Sequence, residues 1–181
     1  MRVLAAIGVL AILAVIAGAV YFFAGFYNVA ANVTEPDIVS SSLVSVRQAS
    51  VARHAEGITP PVRMDDSSVI QSGARAFAAR GCANCHGAPG VQWAKFSEGL
   101  EPAVPDLKEV GPPRDPAQIF WIIRNGIRMT AMPSFNRAGV NDDEIWTLTA
   151  FVKNLDKISE ADFQAWTAPP AEGGTDGGGP P

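Results

Sequence analysis

Hydrophobic and polar residues are distributed differently in each part of this chain. From Val3 to Phe26 there is no charged residue and no proline, which predicts one continuous apolar helix. Such a helix would be roughly 36 Å long, whereas the hydrocarbon core of a bilayer is about 30 Å thick. The pattern therefore predicts a membrane-spanning helix at the start of the chain.

Beyond this segment, hydrophobic residues recur at helical spacing, and no segment shows the alternation of a strand. Capping residues or glycines mark several ends of the predicted helices. These helices cover 67–80, 115–126, 141–155 and 159–166. The stretch 87–113 is rich in glycine and proline, which predicts a loop.

The same pattern divides the chain into four segments. They are a transmembrane anchor (1–27), a connector that contains a helix (28–66), one all-α domain (67–167) and a disordered tail rich in proline and glycine (168–181).

The connector helix carries a rough apolar stripe formed by Ile38, Leu43, Val46 and Val51. This stripe predicts that the helix docks on a protein surface rather than standing free.

The flanks of the anchor predict its orientation. Arg2 and the α-amino group place the first residues on the cytoplasmic side, and the aromatic residues from Tyr21 to Tyr27 suit the opposite headgroup level. The soluble part is then expected outside the cytoplasm. Val29-Ala30-Ala31 resembles a cleavage site, so a cleaved signal stays an alternative.

Charge excludes one class of partner. The net charge is −4 over 181 residues, and 67–167 holds ten basic and eleven acidic residues. Because no basic patch or charge run is present, the sequence predicts no nucleic-acid partner.

Cysteine and histidine use points to the chemistry. The chain has two cysteines and two histidines, and three of these four residues fall in Cys82-Ala83-Asn84-Cys85-His86. Two cysteines are too few for a disulfide scaffold, a zinc site lacks its fourth ligand nearby, and the helical surroundings do not suit a thioredoxin motif. Cys-x-x-Cys-His is the haem attachment signature. It predicts thioether bonds at Cys82 and Cys85 and an iron ligand at His86.

The sixth iron ligand decides what such a haem can do. Met132 precedes Pro133 in an irregular segment, which suits a loop that returns to the open haem face. Met129 is its rival, and either methionine could instead pack in the core. A second histidine ligand would have to be His54, which is expected to be a surface residue.

From 67 to 155 the chain resembles a class I cytochrome c, and in particular the single-haem, membrane-anchored bacterial members. The resemblance rests on Cys82-Ala83-Asn84-Cys85-His86-Gly87, on the stretch from Asn125 to Pro133, and on Asp143-Glu144-Ile145-Trp146.

The resemblance implies an all-α class I cytochrome c fold around one covalent haem c. It implies that Met132, before a proline, is the axial ligand, and that the carbonyl of Pro105 accepts the N–H of His86. It also implies that Gly73 and Phe77 cross the last helix at Trp146 or Phe151. The haem pocket is then expected to be apolar and formed by Leu107, Ile119, Phe120, Ile123, Ile127, Phe135, Leu148 and Phe151.

The expected function is electron transfer by a tethered carrier that is not itself an enzyme. Its expected partners are the lipid bilayer, through 1–27, and redox proteins, in particular an integral-membrane respiratory complex. One alternative is a haem with an open sixth position for gas or peroxide chemistry. Another is a mainly structural haem subunit of a larger complex.

Overall fold

The computed structural model describes residues 1–169. The tail predicted to be disordered, 168–181, lies outside the described residues except for its first two. The described chain forms two compact units, one of residues 1–36 and one from residue 37 onward. All regular structure in residues 1–169 is helical, apart from an isolated bridge between Ala88 and Val91. The all-α prediction is therefore confirmed.

The first unit contains helix α1, Arg2–Phe23, in which no residue is buried. The most apolar window of this helix has a mean hydropathy of 2.9. Within residues 1–169, α1 is the one helix that is long and apolar enough to cross a membrane, by length and composition.

The second unit contains seven α-helices among its described residues, and 3₁₀ turns at Lys95–Gly99 and Leu155–Lys157. The α-helices are α2 (Asp37–Ala55), α3 (Ser67–Ala79), α4 (Cys82–His86), α5 (Leu107–Val110), α6 (Pro116–Asn125), α7 (Asp142–Lys153) and α8 (Glu160–Thr167). Side chains of Asp66, Asp115, Asn141 and Ser159 cap α3, α6, α7 and α8 by accepting backbone N–H groups.

Helices α3, α6 and α7 build the core through aromatic contacts. Phe77 on α3 lies with its ring centroid 5.0 Å from that of Phe151 on α7. Phe120 on α6 stacks on Trp146 of α7 at 4.1 Å and 14°. These pairs hold α3 and α6 against the same central helix, α7.

The loop predicted over 87–113 is wrong in two places. Lys95–Gly99 forms a 3₁₀ turn and Leu107–Val110 forms α5. The side chain of Asp106 accepts the backbone N–H of Lys108 at 2.8 Å, and this cap explains how a helix of one turn begins there.

The connector helix α2 docks on the domain as expected, but three of the four residues of its expected apolar stripe are wrong. Ile38, Leu43 and Val46 are exposed, whereas Val51 and Ala55 are buried. The reason is that α2 packs on α6 with its C-terminal half, where His54 and Trp121 have ring centroids 5.7 Å apart.

Candidate functional site

The second unit encloses a cavity of about 510 Å³, which is within the range of ligand sites. Its walls come from α2, α3, α4, the segment 102–114, α6, the segment 127–135 and α7. The surface of the cavity is predominantly apolar. This arrangement brings together residues that are far apart in sequence around one volume.

Helix α4 places the two cysteines and His86 on the wall of this cavity. Cys82, Cys85 and His86 all line it, and all three are partly buried. Burial raises the pKa of the Cys82 thiol to about 12. Because the thiol stays protonated and uncharged, it is not a solvent-exposed thiolate of the kind that serves as a free nucleophile.

His86 is oriented by the backbone of the following loop. Its Nδ1 lies 3.2 Å from the carbonyl oxygen of Pro105, so Nδ1 carries the hydrogen and donates it. Burial lowers the pKa of His86, and the contact with Pro105 partly offsets that effect. The imidazole is therefore neutral, with the lone pair of Nε2 available, which is the form that binds a metal.

Met132 lines the cavity from a turn, residues 127–132, that is held by hydrogen bonds between its own residues. The hydroxyl of Thr130 donates to the carbonyl of Ile127 at 2.8 Å and accepts the N–H of Met132 at 3.1 Å. The N–H of Ile127 in turn donates to the carbonyl of Met132 at 3.1 Å. Three hydrogen bonds thus fix the position from which the Met132 side chain reaches the cavity wall.

Gly126 permits this turn to pack against the end of α6. Its φ is +68°, and a Cβ there would lie 2.6 Å from the carbonyl carbon of Pro133. Only glycine combines this backbone conformation with so close an approach. The hydroxyl of Ser134 then donates to the carbonyl of Arg124 at 2.8 Å and ties the turn to α6.

The rival ligands lie elsewhere. Met129 is 87% exposed and has a φ of +60°. His54 is exposed, and its Nδ1 donates to the carbonyl of Ser50 at 2.7 Å. Neither residue lines the cavity, whereas Met132 does.

Six of the eight expected pocket residues line the cavity, and two do not. Those that do are Leu107, Ile119, Ile123, Ile127, Phe135 and Leu148. Phe120 stacks on Trp146, and Phe151 packs between Phe77 and Phe163. Helical spacing gave the buried faces of α6 and α7 correctly, but it could not distinguish the cavity wall from the core behind it.

Sequence reasoning missed three cavity residues on α2: Arg47, Gln48 and Val51. The spacing of Val51 and Ala55, four residues apart, is a signal that this end of α2 packs on the domain, but nothing in the sequence indicates Arg47 or Gln48. Two further arginines, Arg80 and Arg114, also line the cavity, and the lining contains no Asp or Glu.

The residues of the cavity fit a haem c. Two thiols three residues apart could form the two thioethers, a neutral imidazole and a thioether sulfur are iron ligands, and the apolar walls would enclose a porphyrin. The lining contains arginines but no Asp or Glu side chains. It therefore also suits a ligand that carries carboxylates of its own, as haem does.

The helical fold and the comparison with protein families show that the chain carries a class I c-type cytochrome domain. Residues 68–152, a little less than half of the chain, match the family described as cytochrome c oxidase, cbb3-type, subunit III. No curated protein and no solved structure matches the chain. The domain binds haem and serves electron transport, as the resemblance implied.

Proposed function

We propose that the chain carries electrons through a single haem c, bonded to Cys82 and Cys85 and ligated by His86 and Met132. The observation that carries this proposal is that one cavity is lined by both thiols, the imidazole and the Met132 side chain. The alternative ligands Met129 and His54 do not reach that cavity.

The surrounding residues suit electron transfer rather than bond chemistry. When bound, the haem supplies a one-electron iron couple. The carbonyl of Pro105 and the hydrogen bonds of Thr130 hold His86 and Met132 in place. Because both ligands are fixed by the fold, little has to rearrange when the charge of the iron changes. The apolar walls would disfavour the additional charge of a ferric haem and so would raise its reduction potential.

We propose further that α1 tethers the domain to the inner membrane of a bacterium, with the haem domain in the periplasm. Its mean hydropathy of 2.9 and its length support a membrane span. Arg2, at the N-terminal end of α1, supports a cytoplasmic N-terminus. The name of the matching family, an oxidase subunit, supports an integral-membrane respiratory complex as the redox partner.

Optical spectra of the purified full chain test the ligands. Ferric haem with a bound methionine sulfur has a weak sulfur-to-iron charge-transfer band. We expect this band in the native protein, its loss in Met132→Ala and its retention in Met129→Ala. A high-spin ferrous spectrum with ready binding of carbon monoxide in the native protein would instead indicate an open sixth position and overturn the His/Met assignment.

Fractionation tests the tether and the partner separately. We expect the haem to stay with membranes through an alkaline carbonate wash, and protease added to spheroplasts to digest the haem domain. Release by the wash, or protection from the protease, would contradict the proposed topology. Purification in mild detergent should retain a respiratory complex, and isolation as a lone monomer at full yield would count against a stable complex.

A further inference from the structure

Helix α2 forms part of the cavity wall although it precedes the residues matched by the cytochrome family. The match begins at residue 68, whereas Arg47, Gln48 and Val51 line the cavity from α2. Val51 is 2% exposed, so the helix is packed against the domain at this position. The haem site of this chain therefore includes an element outside the matched residues.

The part of the cavity wall formed by α2 carries a charged residue, Arg47. The cavity is lined by three arginines and by no carboxylate. Arg80 forms a bidentate pair with Glu144, at 2.7 and 2.9 Å, so its charge is compensated. Residues 1–169 contain four ion pairs, and neither Arg47 nor Arg114 is in any of them. A partly buried guanidinium that has no counter-ion favours the binding of an anion beside it.

We infer that Arg47 binds a propionate carboxylate of the haem, with the amide of Gln48 beside it as a further donor. This inference rests on the proposed attachment of haem at Cys82 and Cys85. A haem c brings its own carboxylates, and the planar fork of an arginine matches a carboxylate in a bidentate manner. Arg47 thereby fastens α2 to the prosthetic group and places a positive charge next to it, which disfavours the ferric form.

Potentiometric titration of the full holoprotein tests the inference. Arg47→Gln is expected to lower the reduction potential, because it removes a cation and leaves a propionate charge uncompensated. Arg47→Lys keeps the charge, so its reduction potential should stay close to the native value. Arg47→Met keeps an apolar side chain but not the charge, so its reduction potential should be lowered as much as that of Arg47→Gln. The matched control is Arg53→Gln, which removes the same charge from an exposed position of the same helix and should leave the potential unchanged.

Three outcomes would overturn the inference. The first is a native potential in Arg47→Gln, and the second is an equal shift in Arg53→Gln, which would show only a remote charge effect. The third is an equal shift in Arg47→Lys and in Val51→Ala, which would show that α2 acts through packing alone. Pyridine haemochrome content and the methionine charge-transfer band, measured on the same samples, report haem attachment and ligation. A failure of the proposed function is thus distinguishable from a failure of this inference.

Discussion

Gly73 on α3 packs directly against the backbone carbonyl of Thr147 on α7. A Cβ at residue 73 would overlap with that carbonyl oxygen and would lie 2.8 Å from the Cβ of Phe151. The two helices therefore touch backbone to backbone, and Phe77 reaches Phe151 one turn further along α3. Because only two residues separate α3 from α4, this crossing also determines the position of Cys82, the first residue of α4.

Gly73→Ala is expected to destabilise the domain, because the added methyl group must separate α3 from α7. Overpacking of this kind costs roughly 1–3 kcal/mol, and the backbone contact favours the upper half of that range. Urea unfolding of the ferric holoprotein measures the change in the free energy of unfolding. Gly99→Ala is the control, since nothing lies within 4 Å of a Cβ there, and its unfolding should be close to native. Equal stability of both variants would refute the close crossing.

The sequence was sufficient for those parts of the fold whose signals are local. Asp115 at the start of α6, Asn141 at the start of α7 and the apolar spacing of α3, α6 and α7 predict those helices to within a few residues. The Cys-x-x-Cys-His motif and the pair Met132-Pro133 predicted four residues that line one cavity, Cys82, Cys85, His86 and Met132. Pro105 came from the resemblance alone, and its carbonyl lies within hydrogen-bonding distance of His86.

The parts that the sequence could not predict depend on contacts between distant segments. Nothing in the pattern of α2 indicates that Arg47 reaches a cavity, because its neighbours Ile38, Leu43 and Val46 mimic a buried stripe and are exposed. Phe120 and Phe151 have the spacing of pocket residues, yet aromatic partners hold both in the core. Only the packing of the helices determines which apolar residue lies at the wall and which lies behind it.

Lys153 is expected to stabilise the segment that leads from α5 to α6. Its ammonium group is partly buried and donates to the carbonyls of Pro112 and Arg114. Lys153→Met removes both charge-assisted hydrogen bonds and leaves two carbonyls without their donor, so we expect a loss of about 2 kcal/mol in the free energy of unfolding.

Lys157→Met is the matched control for this prediction. Lys157 is exposed, and its one side-chain hydrogen bond in the described residues is 3.4 Å long, to Asn154. The same charge change should alter stability there by no more than about 0.5 kcal/mol. Comparable losses in the two variants would mean that net charge, and not the two carbonyl contacts, accounts for the effect of Lys153.

His54→Ala is expected to leave the haem spectrum unchanged. The ring of His54 lies outside the cavity, beside Trp121. Its Nδ1–H already donates a hydrogen bond to the carbonyl of Ser50. Optical spectra of the ferric and ferrous forms measure the ligation directly. His86→Ala is the contrasting variant and should lose the native low-spin spectrum. A spectral change in His54→Ala alone would favour bis-histidine ligation and contradict the assignment of Met132.

The ion pair between Arg80 and Glu144 should make part of the stability depend on pH. It joins the end of α3 to the first turn of α7, with Nε to Oε1 at 2.7 Å and Nη2 to Oε2 at 2.9 Å. The Arg80 guanidinium holds the pKa of Glu144 below its usual value, although burial opposes this. A carboxylate with a lowered folded-state pKa stabilises the fold above its unfolded pKa, and this stabilisation is lost as the pH falls through the folded value. Because both side chains are partly exposed, solvent limits the stabilisation to a fraction of a kcal/mol.

Glu144→Gln should therefore lower the urea midpoint at pH 7 and converge with the native protein in acid. The difference is expected to shrink as the pH falls below the ordinary glutamate pKa of about 4.3, and to vanish below the lowered pKa of Glu144 in the folded state, where Glu144 is protonated in both states. Asp143→Asn is the control, because it removes a carboxylate from the same helical turn and Asp143 is in none of the ion pairs of residues 1–169. If the two variants follow the same pH profile, the helix dipole acting on the first turn accounts for the effect. A difference confined to Glu144→Gln at neutral pH assigns it to the link with Arg80.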